Sequence, residues 1–177
     1  MFRPLVMTVL ALAGLVAAAP AYCQSNQTPK VCGLLPVSEL EAHFGGKASR
    51  PRGSDGQTLS ECTLTIKGHL VKIQSGQPGT PGLPTTVQQG LKAIDRIATD
   101  SKLGGKSPST QSKDFGSIGC GTQTFEGLQG TKSTLYSTTC FRVQGGYLSL
   151  VLASDDPQQV SFEIVKDFLE KAAARRK

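Results

Sequence analysis

Few residues in the chain could do chemistry: five cysteines (Cys23, Cys32, Cys62, Cys120 and Cys140), two histidines, and scattered hydroxyls and carboxylates. A bound metal needs ligands that converge. His43 and His69 fall at a helix end and a hairpin turn, with no cysteine or carboxylate at ligand spacing, and read as solvated surface histidines. A cysteine nucleophile needs a thiolate beside a base, and Cys120, in "GCG", has the look of an exposed glycine-flanked thiol. Ser117 in "FGSIG" is a near miss for a nucleophile elbow, which places its glycine two residues before the serine. Asp114 and Glu126 could act as paired carboxylates if they flanked a cleft. None of these patterns assigns a catalytic, cofactor-binding or metal-ligating residue, and no cofactor is expected.

The setting of the cysteines decides their chemistry. Arg3, the apolar run "LVMTVLALAGLVAAA" and Ala19-Pro20-Ala21 form an export signal over residues 1–21, cleaved after Ala21. The apolar run is shorter than the roughly 20 residues of a membrane span, and no second run follows. A lipoprotein signal would put leucine three residues before the lipidated cysteine and a small residue just before it. Pro20 and Tyr22 stand there, so acylation at Cys23 is the weaker alternative and the protein is expected to be secreted or periplasmic. In that oxidising setting thiols pair. The disulfide reading therefore displaces the nucleophile reading of Cys120, and Cys23 is the odd thiol, on a flexible tail over residues 22–30.

Residues 31–177 read as one α+β domain. A short amphipathic helix is predicted over Val37–Phe44, with Pro36 near its first turn and Gly45-Gly46 as its stop. The polar loop "KASRPRGSDGQ" leads to a hairpin in which Cys62, Leu64, Ile66, Val71 and Ile73 share a face around a turn near Gly68. The Pro-rich "SGQPGTPGLPTT" is a loop. A second helix follows over Thr86–Lys102, with Val87, Leu91, Ile94, Ile97 and Ala98 on one face. Three strands come next, at about 118–125, 134–144 and 147–154. If the first two form a hairpin centred on Gly130, Cys120 faces Cys140 and Phe125 faces Leu135. The last helix starts with Asp156 as N-cap, Pro157 at the first position and Gln159 completing a capping box, with Val160, Ile164, Phe168 and Leu169 on its core face. The expected order is helix-strand-strand-helix-strand-strand-strand-helix, with a mostly antiparallel sheet of about five strands and disulfides Cys32–Cys62 and Cys120–Cys140.

The opening "VCGLLPVSELEAHFGG", the cysteine-bearing hairpin, the Gly-rich "FGSIGCGTQTF" and the ending "VQGGYLSLVLASDDPQQVSFEIVKDFLEKAA" together resemble small exported domains of the PsbP-like α/β/α sandwich class. They are similar to uncharacterised actinobacterial envelope lipoproteins of the LpqN type. The resemblance implies a three-layer sandwich and a role in binding or envelope maintenance without catalysis. It carries no active-site residues over to this chain, and Tyr22-Cys23 departs from the lipoprotein pattern.

Charge supplies one further signal. Lys and Arg number 19 against 13 Asp and Glu, and loss of Arg3 with the leader leaves a net +5. "RPR" at 50–52 and "ARRK" at 174–177 concentrate some of it. Aromatics are 6% with no Trp, so stacking platforms are absent and no nucleic-acid partner is expected. "ARRK" reads more simply as favouring the negative end of the last helix. The primary reading is an exported, non-catalytic domain that binds an envelope protein or an apolar small molecule through the face beside the loops at 46–58 and 75–86. A secreted hydrolase whose site forms only in the fold is the alternative, and basic attachment to anionic lipid or polymer a third reading.

Overall fold

The computed structural model describes residues 28–100, 108–126 and 133–176. The export signal, Cys23, the end of the second helix beyond Asp100 and the turn at Gly130 lie outside them, as do the side chains of Ile97 and Ala98. A 3-10 turn (Lys30–Leu34) leads into α1 (Val37–Phe44), which stops where Gly45 adopts φ 67°. The strands are β1 (Arg52–Ser54), β2 (Leu59–Ile66) and β3 (His69–Gly76), then β4 (Ser109–Asp114), β5 (Ile118–Glu126), β6 (Thr134–Arg142) and β7 (Leu148–Ser154). Between the two groups lies α2 (Val87–Asp100), and α3 (Phe162–Arg175) closes the chain. All seven strands form one antiparallel sheet in the order β1-β2-β3-β7-β6-β5-β4.

The sheet thus has seven strands where about five were expected, and the order becomes helix, three strands, helix, four strands, helix. The two additions are its edges. The side chains of β1 are all exposed, and those of β4 (STQSKD) are exposed apart from half-buried Thr110. An edge strand with no core face carries no apolar alternation, so periodicity cannot find it.

Alternation places Cys62, Leu64, Ile66, Val71, Ile73, Cys120, Cys140 and Leu150 on one face, all buried. The 3-10 turn, α1 and α3 cover that face, and Leu40, Phe44, Val165, Phe168 and Leu169 complete the main core. On the opposite face α2 packs against β4, β5 and β6, where Leu91 and Ile94 join Phe141 in a second cluster. The layering is helix, sheet, helix. Glycines let α2 approach. A Cβ on Gly119 would stand 2.6 Å from the Phe141 ring, one on Gly121 2.7 Å from Ile94 Cγ2, and one on Gly90 would strike Phe141.

Cys120 pairs with Cys140 and Phe125 with Leu135, so the register set by the sum around Gly130 is that of the sheet. The disulfides are Cys32–Cys62 and Cys120–Cys140. The β2–β3 turn has Lys67 at φ 50° and Gly68 at φ 89°, the left-handed pair that a two-residue hairpin requires.

The start of the last helix differs from expectation. Asp156 caps only a 3-10 turn over Pro157–Val160, accepting from the Gln158 amide at 2.9 Å. The Asp156 amide donates to Ser154 Oγ at 3.0 Å, so Gln159 does not close a capping box. Extended Ser161 (ψ 158°) then restarts the chain as α3. The restart rotates the helix, so Val165, Phe168, Leu169 and Ala172 are buried while Ile164 is only half-buried.

Candidate open sheet face and edge pocket

Because α2 sits over β4 to β6, the same face of β2, β3 and β7 carries no described helix. Register puts three cross-strand rows there: Thr65, Leu70 and Ala153; Thr63, Lys72 and Val151; Glu61, Gln74 and Ser149, of which Ala153 and Ser149 are buried. Leu70 is 37% exposed, the exposed large hydrophobic residue among those described, and Val151 is half-buried one row away. The polar row is tied together. Lys72 Nζ lies 2.9 Å from Glu61 Oε2, Gln74 Nε2 donates to the same oxygen at 3.4 Å, and Ser149 Oγ donates to Gln74 Oε1 at 3.5 Å. The bond from Lys72, reinforced by its charge and by Gln74 against partial burial, holds the Glu61 carboxyl below its ordinary range.

The Pro-rich loop borders this face at one end. A pocket of about 140 Å³ lies between Gln77–Thr85 and the β6–β7 turn, lined by Leu83, Val143, Gly146 and Tyr147 among others. Tyr147 stacks on Phe141 with centroids 6.3 Å apart, and burial pushes its phenol up despite a bond to Ser149. Arg176 fixes the loops beside the pocket: Nη1 donates to the Gly146 and Tyr147 carbonyls, each at 3.3 Å, and Nη2 to that of Gly76 at 3.1 Å. At the β1 edge of the sheet, Ser49, Arg50, Arg52, Thr63, Leu64 and Thr65 line a pocket of about 420 Å³.

The structure disperses the residues considered for catalysis. Asp114 pairs with Gly119 and Glu126 with Thr134, so seven residues of β5, about 23 Å at strand rise, separate the two ends. Glycosidase carboxylates work at about 5 to 10 Å. Asp114 instead accepts from Gln88 Nε2 and from the Gly116 amide, both at 2.7 Å. Ser117 is exposed in the β4–β5 turn, and Cys120 is buried in its disulfide.

The histidines are not solvated surface groups: both are half-buried around Phe44. His69 stacks on Phe44 at 4.7 Å, and His43 lies edge-on to Phe44 at 4.8 Å and to Phe168 at 5.6 Å. His43 Nε2 donates to the Gln159 carbonyl at 2.9 Å, which explains their placement by packing. Among the described residues no three His, Cys, Asp or Glu side chains converge as a metal site. The C-terminal arginines do more than face the helix dipole. Arg175 Nη1 donates to the Leu35 carbonyl at 2.7 Å, with Nη2 3.7 Å from Glu39.

Sequence reasoning missed Arg176, Tyr147 and the edge pocket. The nearest signals were the repeated glycines at 145–146, which mark a turn needing a clamp, and "RPR" itself. No protein-family model, curated protein or solved structure matches the chain.

Proposed function

We propose that the chain is an exported, non-catalytic domain that binds a partner protein on the open face of β2, β3 and β7. The observation that carries this reading is the off-centre placement of α2, which among the described residues leaves those strands with a mixed apolar and hydrogen-bonded surface around Leu70, Val151 and the Glu61–Lys72 pair. A polar surface that includes the apolar side chains of Leu70 and Val151 fits a non-obligate protein interface, which is about as apolar as the rest of a protein's surface. The wide separation of Asp114 from Glu126 and the burial of Cys120 weigh against the hydrolase alternative. An apolar small molecule is the weaker occupant, because the pocket at Tyr147 holds about 140 Å³, against the roughly 300 Å³ or more of most ligand sites. Two disulfides fit an oxidising compartment, and no described helix is long and apolar enough to cross a membrane.

Photo-crosslinking in the native host tests the reading. A benzophenone side chain at Leu70 or Val151 should give one discrete higher-mass adduct, and the same group at Glu170 on the far side of the molecule should give none. Equal adducts at all three positions, or none at any, would refute it. Mass spectrometry of the N-terminal peptide tests the export expectation: a start at Tyr22 without acyl mass is expected, and a diacylglyceryl Cys23 would overturn it.

A further inference from the structure

The walls of the pocket beside Tyr147 are tied in place. Gly79 (φ 74°) and Gly82 (φ 84°) turn the Pro-rich loop back on itself. The loop is then held by its own bonds: the Gln77 amide donates to the Thr58 carbonyl at 3.2 Å, Thr80 Oγ1 to the Gln77 carbonyl at 2.9 Å, and the Leu83 amide to the Thr80 carbonyl at 3.2 Å. It packs closely on the β6–β7 turn, where a Cβ on Gly146 would stand 3.2 Å from Pro78 Cδ. Arg176 binds the Gly146 and Gly76 carbonyls and so fixes both sides. A site held in this way loses little freedom when it is filled.

The pocket also continues the open face. The Gly76 amide donates to the Tyr147 carbonyl at 2.8 Å, which extends the β3–β7 contact by one pair, and Leu83 packs where a Cβ on Gly76 would stand. Tyr147 is four residues before Val151, so alternation puts both on one face, about 13 Å apart at strand rise. Leu83, Pro84, Val143 and Tyr147 are half-buried in the pocket, while Gln77, Pro78 and Thr85 are exposed.

We infer that this pocket seats one aromatic side chain of the protein that binds the open face. The inference rests on the partner-binding reading and names the chemistry of its anchor. Size decides the occupant: about 140 Å³ is too small for most free ligands, yet an apolar cavity of about 150 Å³ takes up one benzene ring. Tyr147, already stacked on Phe141, offers the incoming ring an aromatic neighbour. Three strands of about eight residues present roughly 400 Å², half of what one side of a stable interface buries, so binding there calls for a concentrated anchor. A second copy of this chain is the poorer source, because no aromatic side chain is exposed among its described residues.

Titration of the isotope-labelled protein with p-cresol, the side chain of tyrosine, should shift the backbone amides of residues 77–85 and 143–147, with a Kd of about 10 mM or tighter. Isobutanol, an aliphatic probe, should bind there at least about threefold more weakly. Val143→Trp fills the pocket and should abolish the shifts. Leu83→Ala removes one wall without touching the main core and should weaken p-cresol by about fivefold or more. Both variants are then combined with the benzophenone at Leu70 in the native host, where each should reduce the adduct, Val143→Trp by about tenfold or more. An undiminished adduct in either variant would overturn the inference and leave the open-face reading in place. No adduct from Leu70 or Val151 in the otherwise unsubstituted protein would remove that reading and the inference with it. Isobutanol binding as tightly as p-cresol, shifts spread beyond the two loops, or no p-cresol binding at about 10 mM would overturn the aromatic assignment.

Discussion

Glu41 sits on the last turn of α1 and accepts the Ala48 amide at 2.9 Å and Lys47 Nζ at 3.0 Å. These bonds, the amide first, hold its carboxyl below the ordinary 4.5. A depressed carboxylate contributes stability that is present above its unfolded value and lost as pH falls through its folded value. Glu41→Gln should therefore flatten the acid limb of the stability curve while leaving its shape near neutrality unchanged, as measured by urea unfolding across pH 3 to 6 (roughly the window around a normal carboxylate). An unchanged acid limb would mean that the Ala48 bond does not outlast solvent competition. Phe168, 6% exposed and edge-on to His43, is the second residue to test. Phe168→Ala should cost about 3 to 5 kcal/mol, and a loss below about 1 kcal/mol would show that α3 packs on another face. Both residues make the same point about legibility. The apolar period marked Phe168 as core, whereas the Glu41 bond to Ala48 depends on how the chain turns back after Gly45.

At the scale of elements, the docking of α2 depends on the absence of side chains. Gly119 and Gly121 point away from the Cys120 face, toward Phe141 and Ile94. Gly121→Val should force α2 off the sheet, with an overpacking cost of about 1 to 3 kcal/mol. Hydrogen exchange should accelerate in residues 87–96 and stay slow in β2, β3 and β7, which α2 does not cover. Uniform acceleration would instead place α2 in the cooperative core. The strands that alternate were readable because one face is buried and the other is not. Strands β1 and β4 were hidden because backbone pairing to a neighbour, with no demand on side-chain type, is what makes them strands. The final helix was found but started too early, since Asp156-Pro157 signals a helical start without saying whether the turn it caps will continue.

For the whole molecule, the two disulfides join elements that differ in kind. Cys32–Cys62 ties the 3-10 turn to β2 across 30 residues, and Cys120–Cys140 joins two strands already paired across 20. Chain entropy predicts about 3 to 4 kcal/mol from each closed loop. Replacing either pair with alanine should lower stability by that order, measured by urea unfolding of the oxidised protein. Peptide mapping without reduction should link Cys32 to Cys62 and Cys120 to Cys140, and alkylation should find at most one reactive thiol. Three or more free thiols would overturn the assignment.

The sequence alone was enough for the three helices, the alternating strands, the register of the β5–β6 hairpin and the cysteine pairing that follows from it. Each is local: a period, a cap or a turn acts over a few residues, and a hairpin's register follows from its centre once both strands are known. Tertiary structure alone decided which strands α2 covers, because it could have covered any three until Gly119, Gly121 and Gly90 were set against Phe141 and Ile94. It also drew His43 and His69 around Phe44, parted Asp114 from Glu126, and set Arg50 and Arg52 beside Thr63 and Thr65. Those relations join residues distant in the chain, and no local preference specifies them. They arise only when the packing of α1 and α3 on one sheet face and of α2 on part of the other is satisfied at once.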